Sequence, residues 1–296
     1  MSRADIACYI AKDRGRHQVY AFRVEDRESL RHRTEIFRAA ELTDALAHER
    51  FELYAQPIVS LSPDTEMPEN FELLLRLVDE TGAVLLPGAF IRAAERYGLM
   101  ATIDRWVIKT AFKRYAEAFG SDSRPSISIN LSGGTLSDGT LVQFVRETLA
   151  QSTIPPDRVW FEITETAAIR NLKQASQFMT EIKRDGCRFA LDDFGSGLSS
   201  FTYLKALPLD SLKIDGSFVQ EMDNDPVDHA VVAAINQVGH IMGIQTVAEC
   251  VGTNAILELL WELGVDYAQG YAVAPPKPLT EMSSQTGRAQ GAKPAA

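Results

Sequence analysis

An alternation of short apolar runs with amphipathic stretches, from residue 51 to residue 275, constrains the fold of this chain more than any other feature. The apolar runs are rich in Val, Ile, Phe and Leu and have the length of strands, and the stretches between them have helical periodicity. Eight strands alternating with helices in one unit predict an α/β fold, a (β/α)8-type barrel. The predicted strands cover residues 51–61, 70–78, 126–132, 159–165, 188–194, 211–216, 245–250 and 267–275.

The helical stretches end at glycines, as helices often do. Residues 172–182 precede Gly186, and residues 256–263 precede Gly264. The run 230–242 is apolar on most sides and precedes Gly243, which predicts a well-buried helix. Residues 31–52 are expected to form a helix that leads into the first strand. The chain is therefore divided into a leading segment 1–34, a barrel 35–282 and a disordered tail 283–296 of small and polar residues.

The net charge of -10 and the pI near 5.1 disfavour binding of a nucleic-acid polymer through a basic face. A phosphate-containing substrate would need bound cations to offset this charge. The cysteines are odd in number and form no CxxC pair, which disfavours a disulfide framework and favours a reducing, cytoplasmic location. We find no signal peptide and no apolar run long enough to span a membrane, although a full-length protein could still be membrane-anchored.

Polar residues lie at the C-terminal ends of six predicted strands. In a barrel these ends converge on one rim, where active sites are built. Five of these residues are carboxylates and one is an amide, a hard oxygen ligand set that suits Mg²⁺ or Mn²⁺, and their mutual repulsion favours two cations over one. The candidate metal ligands are Glu72, Asn130, Glu162, Asp192, Asp193 and Glu249.

The adjacent Asp192 and Asp193 are the centre of this prediction, with Asp192 as the candidate bridge between two cations. By itself an Asp-Asp pair before Phe-Gly is most often a solvated turn, and a lone Lys213 is most often a solvated edge residue. The convergence of six strand ends on one rim favours a functional role for these residues over a solvated surface role. Lys213 is then expected to hold or activate hydroxide or to stabilise phosphorane charge, with Asp215 on the same strand face orienting it.

Nine short motifs, in order, resemble the signature of EAL domains, which are cyclic di-GMP phosphodiesterases. The resemblance covers roughly residues 35–280 and is very specific. The motifs are Tyr54–Leu61, Glu72–Arg76, Pro87–Ile91, Asn130–Ser132, Glu162–Glu165, Asp192–Gly195, Lys213–Asp215, Ala248–Glu249 and Gln269–Gly270.

The resemblance implies a barrel with an antiparallel first strand and a Mg²⁺- or Mn²⁺-dependent hydrolysis of cyclic di-GMP to linear pGpG through a metal-activated water. It implies metal-ligand roles for the six residues above, and catalytic roles for Lys213, Glu249 and Glu165. Lys213 would contact the catalytic water, and Glu165 would hold the loop after Asp193. Three further residues match positions near the guanine and phosphate groups of the substrate: Gln56, Arg76 and Gln269. Family members commonly dimerise, so a homodimer is expected.

Residues 4–16 resemble the last helix and turn of a diguanylate cyclase (GGDEF) domain, which implies an upstream GGDEF-like domain in a longer protein. Several positions depart from the EAL pattern without removing a predicted ligand. Leu73 replaces the name-giving alanine, and Cys250 and Gly252 replace the Gly and Glu of the usual Ala-Glu-Gly-Val-Glu. Ser196 and Leu198 lie where the family usually has Thr and an aromatic residue.

Two alternatives to an active cyclic di-GMP phosphodiesterase follow from the sequence. The first is a receptor module that binds cyclic di-GMP without cleaving it. Such members typically lose metal ligands, and this sequence has lost none. The second is a hydrolase of the same barrel type that acts on another phosphodiester, which the presence of Gln56, Arg76 and Gln269 disfavours.

Overall fold

The structure is a computed structural model that describes residues 40–62, 70–119, 125–196 and 201–284. The expected GGDEF-like segment 1–34, the start of the predicted helix 31–52, Leu198 and most of the predicted tail lie outside the described residues.

Eight strands form a closed barrel, which confirms the predicted fold class. The sheet order is β1-β9-β8-β7-β6-β5-β4-β2, and pairing of β1 with β2 closes it. The first strand pairs antiparallel with the last of the eight, as expected, and the other successive barrel strands, from β2–β4 to β8–β9, pair in parallel. The barrel strands are β1 (Phe51–Ser60), β2 (Asn70–Val78), β4 (Ser126–Leu131), β5 (Val159–Thr164), β6 (Arg188–Phe194), β7 (Ser211–Ile214), β8 (Gln245–Ala248) and β9 (Tyr267–Ala268).

Two strands of two residues each were not predicted. β3 (Val84–Leu85) pairs with the end of β2, and β10 (Lys277–Pro278) pairs with β1. The predicted strand 267–275 is too long, because residues after Ala268 turn back on themselves. The amides of Val273 and Ala274 both donate to the carbonyl of Gly270, which removes them from any ladder.

The helices of the described residues alternate with the strands. The segment 40–47 is helical (α1). Side chains of Thr164, Asp215, Asp225 and Thr253 accept hydrogen bonds from the first free amides of α5, α7, α8 and α9, as N-caps do. These helices and the remaining ones are α2 (Ile91–Arg96), α3 (Met100–Phe119), α4 (Leu141–Ala150), α5 (Glu165–Arg170), α6 (Leu172–Arg184), α7 (Gly216–Val219), α8 (Pro226–Ile241) and α9 (Asn254–Glu262).

Two helix predictions need correction. The helix predicted to reach residue 52 ends at residue 47, because Glu49 has a φ of 53° and the Arg50 amide donates to the carbonyl of Ala45, which is a Schellman ending. Helix α8 is only partly buried, since Val227 and Ile241 are exposed at its two ends. Helix α8 has more apolar side chains than its sheet-facing side can bury. A short 3₁₀ helix, Leu279–Ser284, ends the described part of the chain.

The chain divides into two compact units, residues 1–51 with 76–100 and residues 52–75 with 101–296. In the first, Arg50 pairs with Asp44 at 2.6 Å and Phe51 packs edge-on against Phe90. In the second, the rings of Phe161, Phe178 and Phe189 pack between helix α6 and the sheet. Within the described ranges, no helix combines the length and apolarity that a bilayer span requires.

Candidate active site

Five carboxylates meet at the C-terminal end of the barrel and form what we term the carboxylate cluster: Glu72, Glu162, Asp192, Asp193 and Glu249. The parallel pairing of neighbouring strands places these residues at a common height along the barrel. Glu162 on β5, for example, is the direct register partner of Asn130 on β4. Oxygen atoms of Asp192, Asp193 and Glu249 all lie within 4.8 Å of one another. The structure therefore brings the acidic residues predicted from the strand ends into one place.

Lys213 lies at the centre of this cluster. Its side chain is buried, with 1% exposed. Four carboxylates surround the ammonium group. The Lys213 Nζ distances are 2.6 Å to Glu162 Oε2, 2.6 Å to Glu249 Oε1, 3.1 Å to Glu72 Oε2 and 3.3 Å to Asp192 Oδ1.

A break in strand alternation explains how two successive aspartates reach one site. Neighbouring residues of a regular strand point to opposite faces. Here the pairing of β6 with β7 shifts register between Leu191 and Phe194, as in a β-bulge, and Asp193 has a φ of 54°. The bulge re-aims the Asp193 carboxylate toward Asp192 and Glu249. A left-handed conformation is unusual for Asp, so this backbone stores strain at the site.

A chain of amide hydrogen bonds extends from Glu72 to β1. Asn130 Nδ2 donates to Glu72 Oε1 at 2.6 Å, and Gln269 Nε2 donates to Glu72 Oε2 at 2.7 Å. Gln269 Nε2 also lies 3.3 Å from Gln56 Oε1, and Gln56 Nε2 donates to the carbonyl of Ala274. The structure thus places the two glutamines that the sequence predicted as substrate contacts beside the carboxylate cluster.

The single positive charge of Lys213 does not balance the negative charges of the carboxylate cluster. The pKa values of the carboxylates shift as a result. Burial raises the pKa of Glu162 to about 8, and the Glu72 and Asp192 carboxylates add to this against the opposing effect of Lys213. Burial also raises the pKa of Asp193 to about 6 and that of Glu249 well above its usual value. One ammonium cannot keep all these carboxylates ionised, so the metal-free cluster retains protons.

Two groups of the site keep their charge. Burial would lower the pKa of Lys213, but the surrounding carboxylates, Asp192 first, raise it well above its usual value. Burial would raise the pKa of Glu72, but the Lys213 ammonium and hydrogen bonds from Gln269 and Asn130 outweigh burial and lower it. The site therefore holds a fixed cation within an acidic, partly protonated shell.

The donor set of the cluster fits a hard divalent cation. All of its candidate ligand atoms are oxygens, as Mg²⁺ and Mn²⁺ prefer. The Asp192 Oδ1 atom is buried and accepts no hydrogen bond, although the Lys213 ammonium lies 3.3 Å away. A buried carboxylate oxygen with free lone pairs is costly without a cation, so this atom is a suitable ligand.

Glu165 contacts the loop that follows Asp193. Its Oε2 accepts a hydrogen bond from the Gly195 amide at 3.1 Å, and its Oε1 accepts one from the Tyr203 hydroxyl at 2.6 Å. Glu165 is buried and begins helix α5. Tyr203, which the sequence analysis did not single out, thus shares with Gly195 the carboxylate expected to hold this loop.

The structure does not place Asp215 in the Lys213 ion-pair network. Its Oδ1 instead accepts hydrogen bonds from the amide and hydroxyl of Ser217, so it caps helix α7. The strand ends at Ile214, so the alternation used to put Asp215 on the face of Lys213 no longer applies there. Arg76 lies farther along β2, within the smaller unit, and is buried.

A second buried acid, missed in the sequence, orders the turn after Asn130. Asp104 Oδ2 accepts from the Ser132 amide at 2.9 Å and from the Thr135 hydroxyl. Burial raises the pKa of Asp104. Asp104 lies on the buried face of helix α3, and a buried carboxylate needs partners.

Close backbone contacts fix the loops after β8 and β9. A Cβ at Gly270 would lie 2.2–2.7 Å from backbone atoms of Val251, so only glycine fits beside Gln269. Cys250, which directly follows Glu249, has a φ of 54°. Its Cβ and Sγ lie 2.6 Å from where a Cβ on Gly216 would be. The sequence departure at Cys250 therefore occupies a strained backbone position that a glycine would adopt freely.

A cavity of about 450 Å³ lies elsewhere, along helix α8, and is lined by Asn236, His240 and Leu263 among others. It contains no residue of the carboxylate cluster. The candidate site is thus defined by its chemistry and not by cavity volume.

Comparisons with known proteins agree with this geometry. The chain matches the EAL domain family over residues 39–276. It is 39% identical over 282 residues to the cyclic di-GMP phosphodiesterase PdeB of Shewanella oneidensis, covering 95% of this chain and 33% of PdeB. It is 35% identical over 240 residues to the cyclic di-GMP phosphodiesterase PdeF of Escherichia coli, covering 81% of this chain and 32% of PdeF. The chain thus spans about a third of the length of these relatives.

Solved structures show the same fold. The FimX EAL domain from Pseudomonas aeruginosa, bound to c-di-GMP, superposes with a TM-score of 0.77 at 32% identity, covering 84% of this chain and 99% of that one. The PaMucR phosphodiesterase, in complex with c-di-GMP, gives 0.76 at 33% identity, covering 82% and 98%. Fold and site define a closed α/β barrel with an oxygen-rich cluster suited to divalent cations. The chain belongs to the EAL domain family.

Proposed function

We propose that this chain hydrolyses cyclic di-GMP to linear pGpG with the help of two divalent cations, Mg²⁺ or Mn²⁺. The observation that carries the proposal is the complete carboxylate cluster around Lys213, with no predicted ligand missing. The names of PdeB and PdeF, both cyclic di-GMP phosphodiesterases, support the substrate and the reaction class.

Six side chains would hold the cations: Glu72, Asn130, Glu162, Asp192, Asp193 and Glu249. When bound, the cations would polarise the phosphodiester and lower the pKa of a bound water, so that hydroxide becomes available near neutral pH. The raised pKa values of Glu162, Asp193 and Glu249 fit this role, because these carboxylates would lose their protons as cations bind.

The protein's own contribution is charge and orientation. The buried Lys213 ammonium stays protonated and supplies a preorganised positive charge where negative charge develops on phosphate. Gln56 and Gln269 offer amide groups beside Glu72 for recognition of the guanine base or phosphate. Arg76 is also a proposed phosphate ligand, because its planar guanidinium can donate two parallel hydrogen bonds to phosphate oxygens. Glu165 fixes the Gly195 loop that follows Asp193.

A receptor without activity is the second candidate. It is favoured by one finding, that the FimX EAL domain was solved bound to c-di-GMP, because a match to a binding domain does not require cleavage. A hydrolase of another phosphodiester is the third, and cyclic di-GMP would then be neither bound nor cleaved.

The experiment that separates these candidates is incubation with cyclic di-GMP and Mg²⁺ or Mn²⁺, followed by chromatographic separation of products. We expect pGpG to accumulate and EDTA to stop it. Binding of cyclic di-GMP without pGpG in either metal would contradict the enzyme and support the receptor. Cleavage of a different diester alone would support the third candidate.

Two further proposals concern the longer protein to which this chain would belong. A homodimer and an upstream GGDEF-like domain follow from the resemblance. The relative MucR of Pseudomonas aeruginosa, named a bifunctional diguanylate cyclase/cyclic di-GMP phosphodiesterase, supports the second of these.

A further inference from the structure

The opposite end of the barrel carries a second polar arrangement. Five successive strands, β5 to β9, each place a polar or aromatic residue there, two or four residues before a residue of the candidate active site. Because alternate strand residues share a face, these side chains point into the barrel like their partners above. We term them the lower ring: Trp160, Arg188, Ser211, Gln245 and Tyr267.

Contacts within the lower ring tie its members together. The Arg188 guanidinium lies over the Trp160 ring at 5.3 Å, and the two residues are register partners. Gln245 Nε2 donates to the Tyr267 hydroxyl at 3.2 Å. Arg188 is also close enough to Tyr267 for its charge to lower the pKa of that phenol, against the larger raising effect of burial. Ser211 is the register partner of Gln245.

The lower ring contains hydrogen-bond donors that have no acceptor among the described residues. The Trp160 Nε1 and Ser211 Oγ atoms are buried without a hydrogen-bond partner, and these side chains are at least 95% buried. The Tyr267 oxygen accepts from Gln245, so its own hydrogen is free to be donated. Across the residues that the structure describes, no carboxylate forms an ion pair with Arg188.

Asn70, two residues before Glu72 on β2, has a side-chain acceptor with no partner among the described residues. The side-chain oxygen of Asn70, at the start of β2, is buried without a partner. Oxygen and nitrogen of an amide are exchanged by rotation of its terminal torsion, so Asn70 can equally present a donor NH₂ group. The chemistry of this end is therefore dominated by donors around one guanidinium.

We propose that the lower ring binds a small tetrahedral oxyanion of the phosphate type. The Arg188 guanidinium lies over the Trp160 ring and forms no ion pair with a carboxylate among the described residues, so its fork is available for two parallel hydrogen bonds to such an ion. Trp160, Ser211 and Tyr267 provide donors on three further strands, and donors distributed around the barrel suit a tetrahedral anion better than a planar carboxylate. The interior of an eight-stranded barrel is filled by side chains, so it admits an ion of a few atoms and excludes a nucleotide.

The proposal does not rest on the phosphodiesterase activity, and its test avoids the active site. Metal-free protein, freed of chelator by dialysis, is titrated with inorganic phosphate by calorimetry, with chloride holding the ionic strength constant. Without cations the carboxylate cluster repels phosphate, so heat from saturable binding reports the other end. We expect one phosphate per chain and a rise in Tm with phosphate, with acetate weaker than phosphate.

Matched variants locate the ion. Arg188→Gln should weaken phosphate binding by at least about tenfold, as loss of charge-assisted hydrogen bonds does. Arg184→Gln, at an exposed position four residues earlier, should bind phosphate like the wild type. Tyr267→Phe keeps the phenyl ring and Trp160→Phe keeps an aromatic ring at this position; each removes one donor and should weaken binding by about fivefold.

Three results would overturn the proposal. The first is an absence of saturable phosphate binding to the wild-type protein. The second is unchanged binding by a folded Arg188→Gln variant. If Arg188→Gln fails to fold by circular dichroism, the aromatic variants decide the matter. Wild-type affinity in both Trp160→Phe and Tyr267→Phe is then the third result, and it would mean that neither donor contacts the ion.

Discussion

The two ends of the barrel use the same strands for opposite chemistry. At the C-terminal end, Glu162, Asp192 and Glu249 surround the Lys213 ammonium with acceptors. Toward the N-terminal end of the same strands, Trp160 Nε1 has no hydrogen-bond acceptor among the described residues, and the Arg188 guanidinium lies over the Trp160 ring. A shift of two or four residues along a strand therefore reverses the ligand preference from cation to anion.

Backbone strain also differs between the ends. Asp193 and Cys250, with φ of 54° each, lie in the left-handed region at the C-terminal end. No member of the lower ring is among the described residues with positive φ. Strained backbone persists only where the surrounding structure over-determines it, and it is typical of functional sites. The difference indicates that the C-terminal end carries the reaction, and the predictions below are ways to break or sharpen this distinction.

Loss of the central cation should have the largest effect. We expect Lys213→Met to reduce turnover of cyclic di-GMP by about a thousandfold, because a preorganised charge at the reacting phosphate is removed. Steady-state kinetics with Mn²⁺ measures this. Lys183→Met is the control, since Lys183 also pairs with a carboxylate, Asp210, at 2.7 Å but outside the cluster. Similar activities of the two variants would contradict a catalytic role for Lys213.

Asp193→Asn should reduce turnover by about a hundredfold, since it weakens one cation site and leaves Asp192 in place. Counting bound Mn²⁺ by electron paramagnetic resonance should give a stoichiometry of one for the variant, against two for the wild type. Full activity with two bound cations would show that the bulge at Asp193 has no part in metal binding.

The pH dependence of stability follows from the raised pKa of Glu162. This pKa is about 8 in the folded protein against 4.5 as its ordinary value, so the folded state favours the protonated form. The associated stability is fully present below the unfolded pKa and is lost as pH rises toward 8. The Tm of metal-free protein should therefore fall from pH 6 to pH 8.

Glu162→Gln tests the assignment of this pH effect. The variant cannot ionise at residue 162, so its Tm should fall less over the same range. Added Mn²⁺ should oppose the fall in the wild type, because cations bind the ionised carboxylates more tightly at higher pH. Parallel Tm profiles for the variant and the wild type would assign the titration to other groups.

The smallest effects should come from the strained loop after β8. Gly216→Ala forces a Cβ within 2.6 Å of Cys250, and we expect a loss of about 1–3 kcal/mol of unfolding free energy, as overpacking costs. Cys250→Gly relieves the left-handed φ and should stabilise by about 1 kcal/mol. Denaturant unfolding of the single and double variants gives their coupling. An additive double variant would contradict the steric pairing of these residues.

The sequence predicted much of this architecture, for identifiable reasons. Apolar runs such as 126–132 and 188–194 are bounded by turn residues, so all eight strands were found. Strand alternation placed Glu162 and Lys213 on the inner face correctly. The same rule failed at Asp215, which lies beyond the end of its strand, and it did not predict the bulge that brings Asp193 beside Asp192. A bulge and a helix cap depend on tertiary packing, which local pattern does not encode.

Long-range hydrogen bonds were the other gap. Tyr203 and Glu165 are 38 residues apart, and Asp104 and Thr135 are 31 apart, so no spacing within the chain brings these pairs together. The donors of the lower ring were hidden for a related reason. Each appears as an ordinary residue at the start of its strand, and only the closed barrel shows that they face one another.

Anomalous X-ray diffraction from crystals grown with Mn²⁺ tests the central claim most directly, because it locates the cations without reference to activity. We predict two anomalous peaks at the C-terminal end of the barrel, in contact with Asp192, Asp193 and Glu249, and none at the lower ring. A fully occupied crystal with no peak at these carboxylates, or with its peaks elsewhere, would contradict the account.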